Sequence, residues 1–200
     1  MILIIENAPM SPHQVAVDTM FADRKALFVD LFGWDVPVVD GRFEIDQFDG
    51  EHVVYLVAVD GDGAHEASLR LLPTERPHML DTLFRNLCPL GVPTGPTIWE
   101  STRLCLPQRH GAARRRQLRN ALISAMVDFA LARGITRYTG ILPEPFRKEV
   151  LAMGWLAEPL GPAVRIPGGP VGAFAAHIAP DTPDRLRWTC IYTEQLGRAA

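Results

Sequence analysis

Apolar and polar positions along the chain follow two different periods, and each change of period marks an element. Residues 53–59, Val-Val-Tyr-Leu-Val-Ala-Val, form a continuous apolar run rich in β-branched side chains, which predicts a central strand. Asp60-Gly61-Asp62-Gly63 follows as a turn signal and residues 67–72 return, so an antiparallel hairpin is expected. Over residues 112–133 the period lengthens: Leu118, Leu122, Ala125, Met126 and Phe129 fall on one side of a helix that Gly134 stops. Ahead of the hairpin, residues 2–5 predict a short edge strand. Ser11-Pro12 reads as an N-cap with proline at the first helical position. The helix it opens carries an imperfect stripe of Val15, Met20, Leu27, Phe28 and Leu31 and ends near Gly33. Residues 36–50 show no period and read as a loop dense in charge and aromatic rings. Downstream, the pattern predicts a short helix over residues 79–87, strands over 98–106 and 136–142, a helix over 145–153, and strands over 171–178 and 187–192. This mixture predicts an α/β fold, a mixed sheet with helices on its faces, in one domain spanning residues 1–200.

Composition narrows the classes. Two hundred residues with 48% hydrophobic and 22% charged side chains suit a globular domain with a continuous core. A net charge of -3 argues against a general nucleic-acid binder. The apolar stretch at residues 1–5 is too short for a secretory signal, and no run reaches the roughly 18 apolar residues of a membrane span. Cys88, Cys105 and Cys190 are odd in number and far apart, as expected of free thiols in a reducing cytoplasm. The six histidines show no ligand spacing with them, so no metal is expected.

Three clusters carry candidate chemistry. Arg24 and Phe28 stand four apart and share a helical face, followed by Trp34-Asp35 and by Glu44-x-Asp46-x-x-Asp49. Alone, these also read as a surface helix and a solvated acidic loop. Arg70 interrupts a strand, where its charge needs a partner or an open face. In Trp99-Glu100-Ser101-Thr102-Arg103, strand alternation sets Glu100 and Thr102 on one face and Arg103 on the other, unless a bulge draws Glu100 and Arg103 together.

Taken in order, Arg24, Phe28, Trp34, Asp46, Asp49, Arg70, Phe84, Glu100 and Arg103 make nine spaced matches, and the sequence resembles the acyl-homoserine-lactone synthases, the LuxI-type autoinducer synthases of quorum sensing. The phrases Glu44-Ile-Asp-Gln-Phe-Asp49 and Arg70-Leu-Leu-Pro-Thr74 belong to the same resemblance, which is strong over the first half and continues only in outline through Thr139 and Gly154-Trp155. It implies an N-acetyltransferase-like (GNAT-like) three-layer fold, a twisted mixed sheet with a V-shaped cleft flanked by helices. It also implies an activity: acyl transfer from an acyl-acyl carrier protein to the amine of S-adenosylmethionine, then lactone closure with loss of methylthioadenosine. S-adenosylmethionine is then a substrate, and no cofactor is expected.

The implied roles suit the residue types. Asp46 and Asp49 can offset the sulfonium and ammonium, and Phe28 or Trp34 can offer an aromatic face. Arg24, Arg70 and Arg103 can hold carboxylates bidentately. Glu100 is the candidate base for the amine, acting through a water. Backbone N–H groups near Phe84 and Leu104 are the expected oxyanion donors. Leu104 stands where most relatives have Phe, and Thr102 where many have Ser. Met79, Leu122, Met126, Ile141 and Leu151 are candidates for the acyl tunnel, with core packing as their other reading; Thr139 or Gly140 falls near the position tied to 3-oxo chains.

Arg109, Arg114, Arg115, Arg116 and Arg119 crowd the start of the long helix, either as a solvated face or as a docking surface for an acidic carrier protein. Gln108-Arg109-His110-Gly111-Ala112-Ala113 also fits the loop with which N-acetyltransferases bind coenzyme A pyrophosphate. Acyl-coenzyme A as donor, a generic coenzyme-A-dependent N-acyltransferase and a non-catalytic binding module therefore stay open. Neither nucleic acid nor membrane is an expected partner, and the sequence leaves the oligomeric state open.

Overall fold

A computed structural model describes residues 1–194 of the chain. By internal contacts the chain divides into two compact units: Met1–Leu71 with Arg103–Ala125, and Leu72–Thr102 with Met126–Thr193.

Unit 1 is built on β1 (Ile2–Ile5), β4 (Val54–Val59) and β5 (His65–Pro73), paired antiparallel in that order. Every residue of β4 is buried, which explains its unbroken apolar run. The hairpin turns as its sequence predicts: Asp60 Oδ1 accepts the Asp62 and Ala64 amides (both 2.9 Å), and Gly63 supplies φ +80°. Helix α1 (Gln14–Arg24) packs on β4, burying Ala16, Val17, Met20 and Phe21. The N-cap expected at Ser11 falls instead at His13: Ser11 Oγ accepts the His13 amide (3.1 Å), so Pro12 lies in the approach rather than in the first turn. Residues 36–50 are not wholly loop, since β2 (Val38–Val39) and β3 (Phe43–Glu44) pair there. Both are two residues long, too short to show a period.

Unit 2 holds a ladder in the order β6-β7-β10-β8. Strand β6 (Ile98–Cys105) pairs in parallel with β7 (Arg137–Pro143). Strand β10 (Gly169–His177) lies antiparallel to β7, to β8 (Leu156–Pro159) and to β9 (Val164–Ile166). The parallel pair is joined by the crossover helix α3 (Ala112–Arg133), as parallel strands require. Helix α4 (Glu144–Leu151) packs on β10. The helix expected over residues 79–87 is broken into α2 (Met79–Thr82) and a 3-10 turn, Arg85–Leu87.

The strand expected over residues 187–192 does not form. That segment is the end of α5 (Thr182–Trp188) and the turn after it, where the Ile191 and Tyr192 amides fold back onto the Leu186 carbonyl. Asp181-Thr182-Pro183 is a helix-start signal that outweighs the short apolar run. Strands β8 and β9 escape the hydrophobic pattern because they are short and largely unburied.

Among the described residues, no helix is long and apolar enough to cross a membrane. Among the described residues, Cys88, Cys105 and Cys190 form no disulfide.

Candidate active site

Four segments of unit 1 bring six charged side chains to one buried place. Arg24 ends α1; Glu44, Asp46 and Asp49 come from β3 and the turn after it; Arg70 stands in β5; Arg103 stands near the end of β6. Arg24 donates from Nε to Glu44 Oε2 (2.6 Å) and grips both oxygens of Asp49 (2.9 and 2.8 Å). Arg70 grips both oxygens of Asp46 (2.6 and 3.1 Å) and reaches Asp49 Oδ1 at 2.8 Å. Arg103 bridges Glu44 Oε1 (3.0 Å) and Asp46 Oδ2 (2.6 Å). Three guanidinium groups thus meet three carboxylates, each joined to two of the opposite sign. The Asp46 amide donates to Asp49 Oδ2 (2.8 Å) and the Phe48 amide to Asp46 Oδ1 (2.9 Å), so the Asp-x-x-Asp spacing shapes its own turn.

Neutralisation by number is what lets these groups lie at 0–9% exposure, with the Asp49 side chain itself at 0%. Burial alone would raise the Asp49 pKa, but the Arg24 hydrogen bonds and the Arg70 charge outweigh it and hold the carboxyl well below the usual range. Burial and the adjacent Asp49 push the Tyr55 phenol up, so it stays protonated and donates to Asp49 Oδ1 (2.7 Å).

An aromatic pair adjoins the network. The rings of Phe28 and Trp34 stack with centroids 4.8 Å apart and planes 7° from parallel. A π-helical turn, Lys25–Leu31, widens the helix end, and the left-handed Gly33 (φ +66°) lets the Trp34 amide return to the Phe28 carbonyl (2.9 Å). The Arg103 guanidinium lies 5.6 Å from the Phe28 ring and 5.8 Å from that of Trp34. A ring separation of 4.8 Å leaves no room for a guest between the two, and Phe28 is buried, so of the pair only Trp34 presents ring surface to one. Trp34 is 42% exposed.

Arg103 itself has φ +51°, a conformation that costs a non-glycine residue about 1–3 kcal/mol. This break in β6 shifts its alternation, and Glu100 and Arg103 are both buried although three residues apart.

Glu100 belongs to unit 2 and is engaged differently. Its Oε2 accepts the Met79 amide and its Oε1 the Leu80 amide, both at 2.8 Å, so it caps the first turn of α2. The Pro73-Thr74 phrase has a structural task as well: Thr74 Oγ1 donates to the Ile98 carbonyl (2.7 Å) and fixes the start of β6.

The expected acyl-contacting residues divide. Phe84 and Ile141 join an apolar cluster with Leu80, Leu87, Cys88 and Ala173. Leu122 and Met126 are buried within α3, while Met79, Thr102, Leu104 and Leu151 are half-buried. Thr139 is fully buried with Oγ1 3.5 Å from the Trp99 carbonyl, and a Cβ at Gly140 would meet the Phe174 ring and the Ser101 carbonyl at 2.8 Å. Of the arginine run, Arg109 pairs with Asp23 (2.6 Å) and Arg114 with Glu66 (2.7 Å). Arg115 donates to Gln108 Oε1 (2.7 Å) and the His110 carbonyl, Arg119 contacts Asn120, and Arg116 is exposed.

Sequence reasoning passed over Glu44 and Tyr55 as site members. The signal for Glu44 was present, as the first acid of the Glu-x-Asp-x-x-Asp motif. Tyr55 lay hidden in an apolar run.

Known proteins share this arrangement of sequence and fold. An acyl-homoserine-lactone synthase of Ralstonia nicotianae is 39% identical over 175 residues, covering 84% of this chain and 85% of that protein. The structure of BjaI, a coenzyme-A-dependent acyl-homoserine lactone synthase with SAM and isopentyl-CoA, superposes with a TM-score of 0.83 at 27% identity, over 99% of this chain and 94% of that one. A Lactobacillus plantarum protein described as an N-acetyltransferase shares the fold at a TM-score of 0.60 and 21% identity, over 89% of this chain and 99% of that one. The fold is thus mixed α/β of the N-acetyltransferase kind. Residues 10–182 match the family described as autoinducer synthase, and the chain belongs to that family.

Proposed function

We propose that this chain acylates the amine of S-adenosylmethionine from an acyl thioester and then closes the homoserine lactone, releasing methylthioadenosine as it makes a quorum-sensing signal. The observation that carries the reading is the buried three-against-three charge network with the Arg103 guanidinium over the Phe28–Trp34 stack. A guest bearing a sulfonium, an ammonium and a carboxylate finds both signs of charge and a π face there. Asp46 and Arg103, their side chains at 4% and 5% exposure, are the least buried opposite-signed pair of the network and would meet it first.

In the first step the amine nitrogen, relieved of one proton, attacks the thioester carbonyl. A C–N bond forms, the tetrahedral oxyanion collapses, and the thiolate leaves with a proton. In the second, the substrate carboxylate attacks the γ-carbon, and the C–S bond to the sulfonium breaks. Glu100, a buried carboxylate on β6, fits the role of proton acceptor through a water. The cluster around Phe84 and Ile141 suits an acyl chain. The family match runs through both units, and we take the chain as one catalytic domain, in a reducing cytoplasm that suits its free thiols.

An acyl-acyl carrier protein is the donor favoured by the arginine run. Acyl-coenzyme A is the second reading, favoured by the likeness to BjaI and by the loop at residues 108–113 that leads into α3. Incubating the purified protein with S-adenosylmethionine and each donor in turn, then assaying lactone and methylthioadenosine by mass spectrometry, tests the function and separates the donors. Acyl transfer to a different amine, or no turnover with either donor, would overturn it.

A further inference from the structure

A second polar network in unit 1 lies outside the charges described above. His65, at the start of β5, is 1% exposed; its Nδ1 is 2.6 Å from Asp23 Oδ2 and its Nε2 2.9 Å from Ser68 Oγ. Its backbone amide donates to Thr19 Oγ1 (3.0 Å) on α1. Asp23 in turn receives both nitrogens of the Arg109 guanidinium (2.6 and 2.8 Å), and Arg109 also donates to the His65 carbonyl. One residue further along β5, Glu66 holds Arg114 (2.9 and 2.7 Å). Burial lowers the His65 pKa more than Asp23 raises it, while the His65 and Arg109 hydrogen bonds outweigh burial to keep Asp23 low. The ring is therefore neutral beside an ionised carboxylate. Its one N–H goes to Asp23, which can only accept, and Nε2 accepts the Ser68 hydroxyl.

Four of the five arginines of this run thus fall into two kinds. Arg109 and Arg114 have their charge offset by carboxylates and tie the segment to α1 and β5. Arg115 is bonded to neutral oxygens of Gln108 and His110, and Arg116 faces solvent. A bidentate pair backed by a buried imidazole fixes direction as well as distance, which a lone surface ion pair does not. Residues 108–111, which turn the chain into α3, are held at Arg109.

We infer that Asp23 is a positioning residue for the acyl carrier protein: acting through Arg109, with His65 behind it, it sets the turn into α3 so that Arg115 and Arg116 face the acidic partner. The inference rests on the reading that the arginine run meets the donor. It assigns Arg109 and Arg114 to the scaffold and Arg115 and Arg116 to recognition.

The test measures binding of holo-acyl carrier protein across a salt series, with S-adenosylmethionine affinity as the internal control. Arg115→Ala with Arg116→Ala should weaken carrier-protein binding about tenfold and flatten its salt dependence. Asp23→Asn should weaken it about fivefold while leaving S-adenosylmethionine affinity within twofold, and Asp23→Glu should recover part of the loss. Arg109→Lys keeps the charge but loses the fork, and should match Asp23→Asn; it also stands in for that variant if Asp23→Asn does not fold. Unchanged binding in Arg109→Lys and Asp23→Asn, with the Arg115/Arg116 variant weakened, refutes the positioning role and leaves docking intact. Unchanged binding in all of them, or none in the wild type, removes the docking surface and the inference together. An equal fall in S-adenosylmethionine affinity for Asp23→Asn marks a general loss of structure and also overturns it.

Discussion

The two units bury polarity in opposite ways. Unit 1 gathers charge: three guanidinium groups and three carboxylates satisfy one another, and Tyr55 adds a hydroxyl. Unit 2 disperses it. Glu100 is held by backbone amides, and Arg147 lies on β10 with its guanidinium donating to Glu144 (2.7 Å) and to the carbonyls of Gly161 (2.9 Å) and Ala173 (3.1 Å). A Cβ at Gly172 would sit 2.3 Å from the Arg147 guanidinium carbon, so glycine is what admits that cation to the strand. The remaining cluster of unit 2 is apolar. In a mutual network each charge depends on the others, whereas backbone partners cannot be mutated away. Removing a member of the first kind strands its neighbours, and removing one of the second leaves an amide or a void.

The sharpest way to break the contrast is to delete charge on one side and volume on the other. Arg70→Ala and Asp49→Ala should each lose about 3–5 kcal/mol of stability, because opposite charges are left buried without partners, and should abolish S-adenosylmethionine binding in calorimetry. Leu80→Ala should lose about 2–5 kcal/mol through the cavity it leaves, yet retain that affinity and show its defect with the acyl donor. Equal effects on both ligands would erase the distinction between the units. Glu100→Gln comes next. Its amide nitrogen cannot accept, so one α2 amide goes unpaired at about 1–3 kcal/mol. Turnover should fall about 100-fold or more, with S-adenosylmethionine binding within a few-fold; a loss of stability with turnover intact would make Glu100 a cap and nothing more.

The smallest expected effect is on pH dependence. The folded pKa values of His65, Asp23 and Asp49 are all depressed, so the unfolded chain binds more protons and stability rises with pH. The His65 contribution is complete above about pH 6.5, its unfolded value, and is lost as pH falls; the two carboxylates add a second loss below about pH 3.9. Denaturant midpoints from pH 8 to 3 should therefore decline in two stages, and His65→Gln should remove the first.

Much of unit 1 was legible because its candidate site is written in charged residues at fixed spacings. Arg24, Asp46, Asp49, Arg70 and Arg103 are conspicuous in sequence, since buried charge demands partners and the partners are few. Glu100 stood out for the same reason, but not its bonds to the Met79 and Leu80 amides, for backbone partners leave no mark on side-chain pattern. The apolar cluster was the least readable part. Phe84 and Ile141 were named for it, while Leu80 and Leu87 were not, because any buried aliphatic residue satisfies the same pattern. Nor could spacing tell Arg109 and Arg114 from Arg115 and Arg116, whose difference lies in Asp23 and Glu66 far away along the chain.

The equal count of opposite charges has an evolutionary corollary. Losing one member creates an odd charge beneath the surface, so positions 24, 44, 46, 49, 70 and 103 are not free to drift singly. Viable descendants of this chain should change these six codons in compensating couples of opposite sign, or leave them untouched.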